Sequence, residues 1–319
     1  MTNRDGNGWT RCGRGHRHWG RHGAAGLLLA APDGAGDGVP TRSDDPRNRA
    51  AVPARLDDPP NPPAVVLLQQ RSWWGSYGGA WGPPGGARDS HESGVRAALR
   101  EAIEECAIDP RPIRVHGVLT DDHGGWTYQT VLATAPAPLA AAAVSEETSE
   151  VAWVRAADVA RLPLHPGFAD QWPFLRASLA PLTIIVDAAN VMGSRPDGWW
   201  RDRAGAARRL VAEIEGLALA GVTSLPESAA VPALERWFPR FVVVLEGAAA
   251  AEARGLAHAE ADPQVRIVAA RGSGDDEIAR LAAEIPGPRL VVTADRELRA
   301  RCEAVGAFVA GPRWLLGLM

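Results

Sequence analysis

The chain has 319 residues, more than one hydrophobic core usually organises, and its 46% hydrophobic and 23% charged residues exclude a disordered or fibrous protein. A formal net charge of −4 argues against a chain that coats nucleic acid by bulk electrostatics, while leaving room for a local basic groove. All 34 basic residues are arginine, so Schiff-base chemistry and the lysine of a P-loop are excluded. Phosphate recognition must then come from arginine forks, backbone N–H groups or a metal.

Cys12, Cys106 and Cys302 are too scattered for a disulfide framework, which suits a reducing compartment. No apolar signal core opens the sequence and no run approaches the roughly 18 apolar residues of a membrane span, so a cytoplasmic protein with no membrane partner is expected.

Residues 1–22 form a polar head rich in Gly, Arg and His. Within it Cys12, His16, His18 and His22 offer one thiolate and three imidazoles, a donor set acceptable to Zn²⁺, but no Cys-x-x-Cys pair is present and a partly ordered basic flap is the favoured reading. Residues 24–31 are an apolar run of strand length. Residues 32–63 shift to Pro, Gly, Asp and Arg, a composition that cannot bury a core and reads as a flexible insertion. A strand follows at 64–69, then a Gly/Pro loop at 78–87, a helix over 92–106, strands at 115–119, 126–133 and 150–154, and a helical region over 158–179. Trp73, Trp74, Tyr77 and Trp81 precede the helix; they are able to stack a nucleobase, but core packing is the favoured reading. The segment 164–168 either lines a pocket or makes a turn against the core.

Pro181 precedes a fresh apolar strand at 182–186, which sets a domain boundary between 23–180 and 181–319. The second half alternates strands at 241–245, 265–268 and 290–292 with Ala/Arg/Leu-rich helices, the pattern of a parallel sheet flanked by helices, and no internal repeat is visible.

The strongest chemical signal lies at residues 86–108. Gly86 is followed by five residues and Glu92, then by seven and the run Arg100, Glu101, Ala102, Ile103, Glu104, Glu105. On a helix Glu101, Glu104 and Glu105 stand at i, i+3 and i+4, and their mutual repulsion is reversed by a hard cation such as Mg²⁺, which takes oxygen ligands. This spacing resembles the Nudix box, with two departures: Ala102 stands where a bulky aliphatic is usual, and Ala107 replaces the terminal glycine. The resemblance implies an α/β/α sandwich with a mixed sheet and hydrolysis of a nucleoside diphosphate linked to another group. It also implies Mg²⁺ or Mn²⁺ on Glu101, Glu104 and Glu105, with Arg100 orienting a carboxylate and Glu92 as a further acidic partner. Gly85, Gly86, Trp73 and Trp74 are the substrate-binding candidates.

In the second half, Asp187 ends an apolar strand and Asn190 follows it; Glu246, Asp275, Asp276 and Asp295 each lie just past a strand or at a helix start. Carboxylates at the C-terminal edge of a parallel sheet are placed to bind one or two Mg²⁺ or Mn²⁺ ions and cleave phosphodiesters. The order resembles the NYN branch of the PIN-like nucleases, which implies an α/β domain with a mainly parallel sheet, RNA as a partner and Asp187, Asn190, Asp275 and Asp295 as site residues. Asp276 and Glu246 are further candidates, and helix capping is the alternative for each acid. Two functional classes remain: a two-domain α/β enzyme with a Nudix hydrolase and an RNA-cutting domain, or a nucleotide-sensing module that regulates the nuclease half without turnover.

Overall fold

The computed structural model describes residues 4–33, 64–247 and 264–319; the insertion expected at 32–63 lies almost wholly outside them. The chain divides into two units, Met1–Ala180 with Pro232–Glu235, and Pro181–Val231 with Arg236–Met319.

In the first unit the expected polar head contains a small antiparallel hairpin, β1 (Trp9–Arg11) and β2 (Arg17–Trp19). The apolar run that follows becomes β3 (Ala24–Pro32), in which Leu27, Leu28 and Leu29 are fully buried. A strand apolar on both faces must be covered on both. β3 meets β4 (Ala64–Arg71) antiparallel, β6 (Gly85–Ala87) antiparallel and β8 (Thr127–Thr134) parallel, so the sheet is mixed. With β5 (Trp81–Gly82) and β7 (Arg114–Asp122) the order is β7-β8-β3-β4-β5, and β9 (Thr148–Arg155) pairs with β4. One sheet face, carrying Leu28, Ala30, Val66 and Leu68, packs against Phe168, Trp172 and Leu175 of α2 (Pro166–Ala177). Alternation sends Leu27 and Leu29 to the other face, where α1 (Gly94–Cys106) lies along β3.

The helix begins at Gly94, two residues later than expected, because the Ser93 side chain accepts a hydrogen bond from the Arg96 backbone N–H and caps it. Its inward face is built of small residues, Ala97, Ala98 and Ala102, all fully buried, so α1 approaches the sheet closely. Strands β5 and β6 were hidden in the Gly/Pro stretch at 78–87, whose composition reads as loop.

In the second unit β10 (Thr183–Asp187) is central. It is followed by α3 (Ala188–Gly193), α4 (Arg203–Ala220) and β11 (Arg236–Trp237), whose Trp237 bridges Val222. Then come β12 (Arg240–Leu245), β13 (Val265–Ala269), α5 (Gly274–Glu284), β14 (Arg289–Val292), α6 (Arg296–Ala304), β15 (Phe308–Ala310) and α7 (Pro312–Leu316). The order β13-β12-β10-β14-β15 is parallel at every pairing. Ile184 and Val186 of β10 pack with Val191, Leu210 and Ile214 on one face, and Ile185 packs with Ile278, Leu281 and Leu298 on the other, giving a doubly wound layer structure. Among the described residues no helix is long and apolar enough to cross a membrane.

α1 ends at Ala107 with φ 53° and ψ 29°, the left-handed conformation that favours glycine. The position where the box usually has glycine is therefore strained by a Cβ. Ala107→Gly is expected to stabilise the first unit by about 0.5–1 kcal/mol, raising its melting temperature by a few degrees; an unchanged or lower melting temperature contradicts this account of the helix exit.

Candidate active site

Arg100 organises the acidic face of α1. Its Nε donates to Glu92 Oε1 at 2.9 Å, its Nη2 to Glu92 Oε2 at 2.8 Å and to the Ala87 carbonyl at 2.9 Å, and its Nη1 to Glu101 Oε1 at 2.7 Å. A longer bond of 3.4 Å reaches Glu104 Oε2. One guanidinium thus ties the loop before the helix to two helix carboxylates. The bonds from Arg100 hold the Glu92 carboxyl below its ordinary value, and these partners raise the guanidinium further. Glu104 also pairs with Arg4 from the N-terminal segment, an exposed contact that a cation can displace at little cost.

Glu105 faces inward and is 7% exposed. Its Oε2 accepts from Gln69 Nε2 at 2.8 Å and from the Gly85 backbone N–H at 2.9 Å. Burial and the neighbouring Glu101 charge push its carboxyl up to about 7 against those two donors. Burial likewise raises Glu101, with Arg100 opposing. Oxygen donors clustered on one helix turn, two of them desolvated, fit a hard divalent cation.

The backbone has been cleared to make this possible. A Cβ on Gly86 would stand 2.6 Å from Glu101 Oε1, and one on Gly85 would stand 2.5 Å from the Ala25 carbonyl oxygen. Gly86 therefore lets the β6 backbone approach Glu101, whereas Gly85 lets β6 close onto β3 while its N–H reaches Glu105. Trp73 and Trp74 are 82% and 59% exposed, and Tyr77 is also exposed, with its ring edge-on to His165. Core packing holds for Trp81 alone of the four, which is fully buried; the other three lie exposed in the loop after β4. In the segment 164–168, Leu164 bridges Trp81, the His165 backbone N–H donates to the Trp81 carbonyl, and Phe168 starts the packed face of α2.

Two residues escaped the sequence reading. Gln69 is buried, with Thr148 Oγ1 donating 2.8 Å to its Oε1, which fixes the amide so that its Nε2 points at Glu105. Tyr128 places its hydroxyl where a side chain on Gly26 would sit; burial, reinforced by Glu105 and Glu101, pushes the phenol up to about 12. Neither lies near the box in sequence, and no local pattern marks them.

In the second unit Asp187 is buried at the C-terminal end of the central strand. Its Oδ1 accepts from the Asn190 backbone at 3.0 Å, and its Oδ2 from Asn190 Nδ2 and Thr293 Oγ1, both at 2.8 Å. Asn190 Oδ1 in turn accepts from the Ala294 backbone at 3.2 Å. Burial raises the Asp187 carboxyl, and Asp275 is raised by burial and by the charges of Asp187, Asp295 and Glu246. The Asp187, Asp295 and Glu246 carboxylates thus lie near enough to act on Asp275, and Asn190 joins them through its hydrogen bonds to Asp187. The capping alternative also applies to Asp187 and Asp295, each of which accepts from a backbone N–H at the start of its helix. Asp276 departs from the set: it is exposed and paired with Arg301 Nη2 at 2.8 Å. Glu246 Oε2 accepts from the Gly274 backbone at 2.9 Å.

The sequence model of the NUDIX domain family matches residues 47–177. The putative 8-oxo-dGTP diphosphatase 3 of Mycobacterium tuberculosis strain H37Rv is 40% identical over 186 residues, which span 56% of this chain and 72% of that protein. A nucleoside triphosphate pyrophosphatase/Nudix hydrolase fusion protein of Bifidobacterium longum is 35% identical over 179 residues, 56% of this chain and 32% of that protein. Among solved structures, the Nudix hydrolase RenU of M. smegmatis is 40% identical, covering 54% of this chain and 94% of that one with a TM-score of 0.43. The chain belongs to the Nudix hydrolase family.

Because its folded value of about 7 lies above the ordinary 4.5, Glu105 favours folding when neutral: its contribution is complete below about pH 4.5 and is lost as pH rises through 7. In the presence of a chelator, Glu105→Gln is expected to stabilise the protein at pH 8 by roughly 1–3 kcal/mol, and the gain is expected to vanish by pH 4.5. Chemical denaturation across this range checks it; equal stability of the two proteins at pH 8 contradicts the burial of a titrating carboxylate.

Proposed function

We propose that the first unit hydrolyses the pyrophosphate linkage of a nucleoside diphosphate or triphosphate derivative, with Mg²⁺ or Mn²⁺ held by Glu101, Glu104 and Glu105. The observation that carries this reading is the inward-turned Glu105, hung between Gln69 and the Gly85 N–H on the same helix face as Glu101 and Glu104. A bound divalent ion supplies charge neutralisation for the phosphates and lowers the pKa of water. The protein supplies the rest. Arg100 locks Glu92 and Glu101 to the end of β6 at Ala87, Gln69 orients Glu105, and Gly85 and Gly86 let substrate phosphates approach the backbone. Trp73 and Trp74, exposed in the loop after β4, are candidates to stack the base.

The name of the M. tuberculosis relative directs the substrate reading to an oxidised purine nucleoside triphosphate. Incubation with 8-oxo-dGTP and Mg²⁺ is expected to release a nucleoside monophosphate. Glu104→Gln with Glu105→Gln is expected to reduce the rate at least about a hundredfold while the fold persists. Undiminished hydrolysis by the double variant removes these residues from the site. Nucleotide binding without turnover by the parent protein supports the sensing module instead.

A second reading concerns the other unit, and the environment of Asp187 favours it. In a sheet ordered 3-2-1-4-5, the crevice between the first and fourth strands is where ligands bind, and Asp187 on β10 and Thr293 after β14 flank it. A PIN-like, metal-dependent ribonuclease site built on Asp187, Asn190, Asp275 and Asp295 accords with this placement. Mn²⁺-dependent cleavage of single-stranded RNA by the full chain is expected to fall at least about a hundredfold in Asp187→Asn. Cleavage that is absent from the parent, or unchanged in the variant, contradicts the reading.

A further inference from the structure

The β1–β2 hairpin carries a second donor set, separate from the glutamates of α1. Strands of three residues do not hold together alone. The turn between them is closed by the Cys12 N–H donating to the His16 carbonyl at 3.0 Å and the Gly15 N–H donating to the Cys12 carbonyl at 2.9 Å. It is also pinned to the turn between β7 and β8, where the Gly13 N–H donates to the Gly124 carbonyl at 2.5 Å and Arg14 Nη2 to the Asp122 carbonyl at 2.6 Å.

This docking brings His123, which lies in the β7–β8 turn, against the hairpin. Cys12, His16, His18 and His123 each offer one donor atom, and the four atoms lie within 4.8 Å of one another. The fourth member expected from sequence, His22, is not among them; its Nε2 lies 3.8 Å from Asp5 Oδ2. Local spacing pointed to His22 because it is close in the chain, whereas the fold supplies an imidazole from more than a hundred residues away.

A second observation points to a ligand. His123 Nε2 and Asp121 Oδ2 are 3.0 Å apart, and if Nε2 carries the proton, Nδ1 is left as a lone pair. That His123 Nδ1 is buried without a hydrogen-bond partner among the described residues, and so is His18 Nε2. The His18 ring is held in place by stacking on Trp126, with centroids 3.9 Å apart. Buried ring nitrogens left unsatisfied are costly, and two beside a buried thiol in one pocket are hard to explain by packing. A carboxylate behind a histidine is the usual support for a metal-bound imidazole.

We propose that Cys12, His16, His18 and His123 form a closed Cys-His₃ zinc site that clips the N-terminal hairpin to the β7–β8 turn. Tetrahedral Zn²⁺ with Zn–S of about 2.3 Å and Zn–N of about 2.0–2.1 Å needs donors about 3.3–3.6 Å apart, a contraction of at most about 1.5 Å from the 4.8 Å limit. Thiolate and imidazole select zinc over the Mg²⁺ or Mn²⁺ that suits the glutamates. Four protein donors leave no open position, so the site is structural.

The test uses the full chain without an affinity tag, purified without chelator. Elemental analysis is expected to give one zinc per chain. Replacement by Co²⁺ is expected to give the visible spectrum of a tetrahedral ion with a thiolate charge-transfer band. Cys12→Ser should abolish that band, His123→Ala should weaken zinc binding at least about tenfold in competition with a chromophoric chelator, and His22→Ala should leave both unchanged. The parent protein needs no variant to refute the proposal: failure to retain zinc after reconstitution, or an octahedral Co²⁺ spectrum without a thiolate band, overturns it. Stoichiometric zinc unaffected by both Cys12→Ser and His123→Ala overturns it as well.

Discussion

The first unit is organised around a conflict: carboxylates crowded on one turn of α1, one of them buried. Left alone, Glu101, Glu104 and Glu105 repel one another, and burial of Glu105 adds desolvation. The fold does not relieve this by turning the groups to solvent. Arg100 neutralises the outer part of the cluster and ties it to Glu92 and the Ala87 carbonyl, while Gln69 and Gly85 aim donors at Glu105. Such an arrangement costs stability, the cost that a divalent cation bound there would offset.

The rest of the unit serves that placement. Small residues on the inner face of α1 bring it close to β3, Gly85 brings β6 close to β3, and Gly86 brings the β6 backbone close to Glu101. Rigidity comes from the mixed sheet, with β3 at its centre paired on both edges. The second unit repeats the theme with different parts. Asp187 is held at the end of a central parallel strand by Asn190 and Thr293, with Asp275 nearby in its field.

Much of this was legible in the sequence where signals were local. The box could be read because Gly86, Glu92, Arg100 and the three glutamates must agree in spacing at once, and a 3.6-residue period puts the glutamates on one face. The parallel sheet was legible because buried parallel strands are continuous apolar runs, as at 182–186 and 241–245. What stayed hidden was set by distance along the chain or by weak composition. Gln69, Tyr128 and His123 gain their meaning only from partners brought in by the fold. The strands β5, β6 and β15 are two or three residues long, too short for any period to show. Exposure of Trp73, Trp74 and Tyr77 overturned the core reading, a fact that composition does not carry.

The most direct measurement is a crystal structure of the protein soaked with Mn²⁺, with the ion located by its anomalous scattering. The account predicts a peak about 2.0–2.3 Å from carboxylate oxygens of Glu101, Glu104 and Glu105, with the Arg4 contact to Glu104 displaced. Manganese bound elsewhere in the first unit, with those three side chains still engaged as they are with Arg4, Arg100, Gln69 and Gly85, would contradict it.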